Sequence, residues 1–144
     1  MTFSPYKKGE RAGLVVMGLD YASLTIENAE SGLTLNQIEC VNADKSTPEK
    51  INTSISLSQN TVFLRVKVIQ SKAINKDGIN EPKANCSFSY SLDGNEFIPI
   101  GEKFIAREGL WIGAKVGLFC TRPKPLNDSG YVDVDWFRIT AVNE

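Results

Sequence analysis

The feature that most limits what this chain can fold into is a succession of short apolar runs of period two, each closed by glycine, proline, asparagine or aspartate. From Asn85 to Ser91, Cys86, Phe88 and Tyr90 alternate with Ser87, Ser89 and Ser91, and Asp93-Gly94 then turns the chain into Glu96 to Ile100. That is the strongest hairpin signal in the sequence. Arg11 to Met17 is an apolar run expected to be buried on both faces. A Gly18-Leu19-Asp20-Tyr21 turn leads from it into Tyr21 to Glu27, where Ala22, Leu24 and Ile26 oppose Tyr21, Ser23, Thr25 and Glu27. In Leu33 to Val41 the apolar phase changes midway, because Leu33 and Leu35 fall on the opposite face from Ile38 and Cys40, and a β-bulge is expected there. Thr53 to Leu57 is a weaker strand, and Val62 to Gln70 places Val62, Leu64, Val66 and Val68 inward.

Between these runs, Asn42 to Lys50 and Ser71 to Ala84 read as polar loops. The second carries Asn75, Asp77 and Asn80, but with neither the spacing nor the closing glutamate of an EF-hand, so calcium is not expected. No segment carries an apolar helical stripe with caps. Eight to ten strands and no helix predict an all-β protein, a two-sheet antiparallel β-sandwich of jelly-roll type. At 144 residues the chain is the size of one domain, with a single core.

Composition removes several classes of function. The 16 basic and 17 acidic residues are interspersed and give a net charge of −1, which offers no broad positive field for nucleic acid or anionic lipid. No apolar run is long enough to cross a bilayer, and the first residues lack the apolar core of a signal peptide. The absence of histidine excludes Ser-His-Asp and Cys-His nucleophile systems and His-ligated metals, and no cofactor is expected. Cys40, Cys86 and Cys120 are odd in number, widely spaced and each within a strand run, so all three are expected to be buried free thiols.

The C-terminal third holds the candidate site. Lys115 to Thr121 is apolar on both sides and reads as an interior strand, and Tyr131 to Thr140 alternates Val132, Val134 and Trp136 with Tyr131, Asp133 and Asp135. Asp133 and Asp135 would stand about 6.5–7 Å apart on one strand face. Catalysis by this pair is not expected, because the acid and base of a glycosidase approach the sugar from opposite sides. A solvated face, or a share in a sugar-binding groove, is the reading that remains. Tyr21, Phe63, Tyr131 and Trp136 are candidate aromatics for a sugar platform, although isolated exposed aromatics are ordinary on a β-sandwich.

WIGAKVGLFC followed by GYVDVDWFRIT resembles the end of the concanavalin A-like β-sandwich attached C-terminally to family 43 glycoside hydrolases, the β-xylosidases and α-L-arabinofuranosidases. GERAGLVVMGLDYASLTIE and FSYSLDGNEFIPIG fit the same domain in the same order, so the resemblance covers nearly the whole chain. It implies a non-catalytic accessory module packed on a catalytic β-propeller domain that supplies the three carboxylates of the chemistry, with plant cell-wall polysaccharide or oligosaccharide as the ligand of the parent enzyme. In xylosidases of this family an aromatic residue at the head of the matching stretch completes the wall of the substrate pocket. Trp111 stands at that position here, where those xylosidases carry phenylalanine.

The implied candidate substrate-binding residues are therefore Trp111, Tyr131, Asp133 and Asp135. An independent carbohydrate-binding module and a purely structural or oligomerisation domain are the alternatives. The resemblance also implies a periplasmic or secreted parent enzyme and a family domain that begins several strands before Met1. Were those strands missing, Arg11 to Met17 would be an open apolar edge, and the isolated chain is expected to form a homodimer through it.

Overall fold

The computed structural model describes residues 1–74, 78, 80–125 and 128–142. Its strands are β1 (Thr2–Ser4), β2 (Arg11–Met17), β3 (Tyr21–Ala29), β4 (Gly32–Cys40), β5 (Lys50–Ser56), β6 (Phe63–Ile74), β7 (Asn80–Ser91), β8 (Ile98–Pro99), β9 (Phe104–Ala106), β10 (Lys115–Thr121) and β11 (Tyr131–Asp133). They form a five-stranded sheet in the order β10-β2-β3-β4-β5, a second sheet in which β7 pairs β6, β8 and β9, and a two-stranded β1-β11 ribbon. All pairings are antiparallel. The protein is the all-β sandwich that the alternating runs predict.

The alternation places the core. Leu14, Leu24 and Gln37 are register partners across β2, β3 and β4, so they share the inward face, as do Val16 with Ala22 and Ile26 with Leu35. Against this face the second sheet sets Cys86, Phe88 and Phe104, while Phe3 of β1 and Val62 close one end. Complete burial of one such Leu or Ile is worth about 1.5–3 kcal/mol. The β7–β8 hairpin closes as its sequence signal requires. Asp93 Oδ1 accepts from the backbone N–H of Asn95 at 2.8 Å and of Glu96 at 3.1 Å, and from Ser91 Oγ at 2.8 Å. The Asn95 N–H foremost, with the Ser91 hydroxyl, pulls the Asp93 carboxyl down to about 2.

Several expectations fail for identifiable reasons. The β3–β4 register runs unbroken from Ala29↔Gly32 to Tyr21↔Cys40, so β4 has no bulge. The extra residue is Asn52 of β5, skipped where the register with Gln37 and Ile38 shifts. The apolar phase of β4 changes because its end is buried on both faces: Ile38 and Cys40 lie outward and are still only 1% and 3% exposed. Cys40 is capped by the 42–49 segment, its Sγ donating to Thr47 O at 3.1 Å. That segment also contains a 3-10 turn at Ala43–Lys45.

Within the stretch read as a loop, Ser71 to Ile74 and Asn80 to Ala84 are strand. β6 and β7 stay paired as a ribbon from Phe63↔Ser91 to Ile74↔Asn80, and Val68 is 39% exposed although it shares a face with its register partner, the core residue Cys86. Asn75 and Asp77 lie outside the described residues. β10 is an edge strand, and Val116 and Leu118 remain 38% and 40% exposed although they face the same way as Val16 and Leu14. Cys120 on the same strand is exposed, not buried. Conversely, β2 lies inside the sheet between β10 and β3, so the open edge that the expected homodimer requires does not exist.

Candidate functional site

Trp111 occupies a turn between β9 and β10 that is closed by the Gly109 N–H donating to Ile112 O at 2.9 Å. It is 94% exposed, and its neighbours Leu110 and Ile112 are 80% and 57% exposed. Three consecutive large apolar side chains projecting into water cost hydration free energy that no contact within this domain recovers.

The base of the turn is fixed. Asp20, in the β2–β3 turn and only 8% exposed, accepts from Arg107 Nη2 at 2.7 Å and from the Asn42 backbone N–H at 2.6 Å. The same Arg107 nitrogen donates to Asn42 Oδ1 at 2.9 Å. Gly18, two residues before Asp20, lies so close to the chain at Arg107 that a Cβ there would overlap the Arg107 carbonyl oxygen. The turn that carries Trp111 thus follows, four residues downstream, a half-exposed ion pair of Arg107 with the buried Asp20.

The other candidates sit elsewhere. Tyr131 and Asp133 share one face of β11 and are exposed, with Ser4 and Thr2 of β1 as their register partners. The strand ends at Asp133 rather than Thr140, so Asp135 lies beyond it and does not continue that face. Its charge instead acts on the Met1 amino group, whose pKa burial lowers and Asp135 partly restores. No two carboxylates therefore flank a cleft on this strand.

The four aromatics do not assemble either. Phe63 and Trp136 form a tilted pair 6.2 Å apart, with the Arg138 guanidinium 4.7 Å from the Trp136 ring centre. Tyr21 lies on the outward face of the five-stranded sheet and donates its hydroxyl to Glu49 Oε1 at 2.6 Å. Burial and that carboxylate push the phenol above its ordinary pKa. Glu49 is engaged in turn by Arg11 at 2.8 Å, and Arg11 reaches Glu27 at 3.2 Å. Among the described residues no group of three or more cysteine, aspartate or glutamate side chains is placed to hold a metal ion.

Sequence reading missed Glu10. Only 3% exposed, its carboxylate accepts from the backbone N–H groups of Tyr6 at 2.6 Å, Lys7 at 3.0 Å and Gly130 at 2.9 Å. Burial raises its pKa, but these three donors and the Arg122 charge outweigh it and hold the carboxyl below its ordinary value. The bond to Gly130 spans most of the chain, so no local pattern could have disclosed it.

With this geometry in place, comparison with known families decides the relationship. The family described as the β-xylosidase C-terminal concanavalin A-like domain matches residues 1–140. The chain belongs to that family. A β-xylosidase of Formosa agariphila is 44% identical to it over 50 residues, which are 35% of this chain and 8% of that protein. The match thus spans less than a tenth of the relative's length. No solved structure matches significantly.

Proposed function

We propose that this chain is a non-catalytic accessory module of a family 43 glycoside hydrolase acting on xylan or arabinan, and that it packs on the catalytic propeller through the Leu110-Trp111-Ile112 turn, with Trp111 lining the substrate pocket. The observation that carries this reading is the exposure of Trp111 on a turn tethered by the Arg107–Asp20 pair. A large aromatic flanked by apolar residues is the composition of an interface anchor, and sealing a substrate pocket against water is a role that needs such a side chain held in place.

Tyr131, Asp133 and Asp135 belong to this reading only as secondary sugar contacts, because the first two are exposed on a different element from Trp111 and the third lies past its end. Chemistry resides in the partner domain, so the isolated chain is expected to be inactive on aryl xylosides and arabinofuranosides. The test is Trp111→Ala in the polypeptide that joins this module to its catalytic domain. A fall in kcat/KM of roughly tenfold or more on an aryl xyloside or arabinofuranoside is expected, from loss of one aromatic wall worth about 1.5–3 kcal/mol. Unchanged kinetics would overturn the proposal.

A further inference from the structure

Four cations converge where the chain's beginning meets the loop after β10. Lys7, Lys8, Arg122 and Lys124, with Pro123, Glu10 and Asp128, line a cavity of about 380 Å³, and a second of about 190 Å³ adjoins it through Glu10 and Arg122. None of the four is ion-paired among the described residues. Lys8 donates to neutral acceptors, Ala29 O at 2.7 Å and Asn28 Oδ1 at 3.3 Å. Arg122 Nη1 donates to the Asp128 carbonyl at 3.4 Å, and Lys7 lies 4.9 Å from the Tyr6 ring centre.

Of the two carboxylates in the lining, Glu10 has its oxygens taken up by three backbone N–H groups and its charge set against Arg122, so the lining holds four positive charges against the two of Glu10 and Asp128. In a chain of net charge −1 this is a local excess of positive charge.

The cavity is also built rather than incidental. Glu10 ties residues 6–7 to Gly130, and Gly9, at φ +79°, approaches Pro123 so closely that a Cβ there would lie 3.0 Å from its ring. The methylene stems of the lysines and the Pro123 ring supply apolar wall between the charged groups. A saccharide ring carrying a carboxylate matches both parts, its C–H face against the wall and its charge toward Arg122 and the lysines.

We propose that this cavity binds an acidic saccharide, specifically the carboxylate of a uronic-acid side group on the polysaccharide. The choice of a saccharide rests on the family 43 reading above, whereas the choice of an anion rests on the cavity alone.

The test is calorimetric titration of the 144-residue chain at low ionic strength with three probes: a glucuronic-acid-substituted xylo-oligosaccharide, the unsubstituted oligosaccharide of equal length, and sodium sulfate. The acidic oligosaccharide should bind at least tenfold more tightly than either of the others, and more weakly as salt rises. Arg122→Ala and Lys124→Glu should each weaken it by about tenfold, with unchanged melting temperatures showing that the fold is kept. Equal affinity for the acidic and neutral oligosaccharides, absence of binding, or sulfate bound as tightly as the uronate would each overturn the proposal. Trp111 lies on a different turn, so Trp111→Ala should leave this titration unchanged, and a failed titration would not bear on the effect of Trp111 on catalysis.

Discussion

Replacing Glu10 by glutamine removes one charge and exchanges one oxygen for an NH₂ group, with almost no change in volume. In the native protein Oε2 accepts from Tyr6 and Lys7 N–H and Oε1 from Gly130 N–H. The substituted amide can present its oxygen to one side only, so its NH₂ must face a backbone donor on the other. At least one charge-assisted hydrogen bond is lost and the remainder are weakened to neutral ones. With a net value of about 1.5–3 kcal/mol for each bond to a charged group, discounted for solvent close to the cavity, the cost is about 2 kcal/mol. For a domain of this size that lowers the melting temperature by roughly 5–10 °C.

The pH dependence follows from the direction of the shift. The folded-state pKa of Glu10 is depressed, so its stabilisation is fully present above the unfolded value, near 4.5, and is lost as pH falls through the folded value. The gap between wild type and Glu10→Gln should therefore be constant from pH 7 to about 5 and close on further acidification, as protonated Glu10 comes to resemble glutamine. Urea unfolding at a series of pH values measures it. A cost below about 0.5 kcal/mol at pH 7, or a gap that persists unchanged to about pH 2.5, would refute the role assigned to Glu10.

Three further outcomes follow from the packing. Leu24→Ala, at a fully buried position, should cost about 2–5 kcal/mol in urea unfolding. Gly18→Ala forces the chain away from Arg107 and strains the Asp20 ion pair, so roughly 2 kcal/mol or more of destabilisation and faster proteolysis near Trp111 are expected. In a thiol assay of the native protein only Cys120 should react promptly, with a rate still climbing past the ordinary thiol value of 9.0 because burial and the Glu10 charge raise its pKa; Cys40 and Cys86 should appear only on unfolding, for a total of three.

What the sequence disclosed and what it hid divide along a physical line. β2, β3, β7 and the β7–β8 turn were legible because their apolar residues alternate against polar ones or fill a continuous run, and because Asp93-Gly94 is local turn chemistry. The β6–β7 ribbon was not, since it leaves the core and needs no alternation to persist, only its neighbour's backbone. Apolar content misled at β10, where Val116 and Leu118 suggest an interior strand and the topology supplies no second neighbour.

Among site residues, Trp111 could be singled out from the motif that surrounds it, but its 94% exposure could not, because exposure depends on what the fold leaves uncovered. The regular alternation through Asp135 suggested one acidic face. The strand ends after Asp133, and only the register with β1 reveals that. Lys7-Lys8 and Arg122-Pro123-Lys124 went unremarked in a sequence of interspersed charge, because their meeting depends on Glu10 reaching Gly130.

The central claim is that Trp111 is presented to a partner domain. Hydroxyl-radical footprinting of this chain alone and of the polypeptide joining it to its catalytic domain tests that most directly, with half-exposed Trp136 as the internal reference. Trp111 should oxidise faster than Trp136 in the isolated chain and become protected by about tenfold or more in the joined protein. Equal oxidation of Trp111 in both, at an unchanged Trp136 rate, would contradict the account.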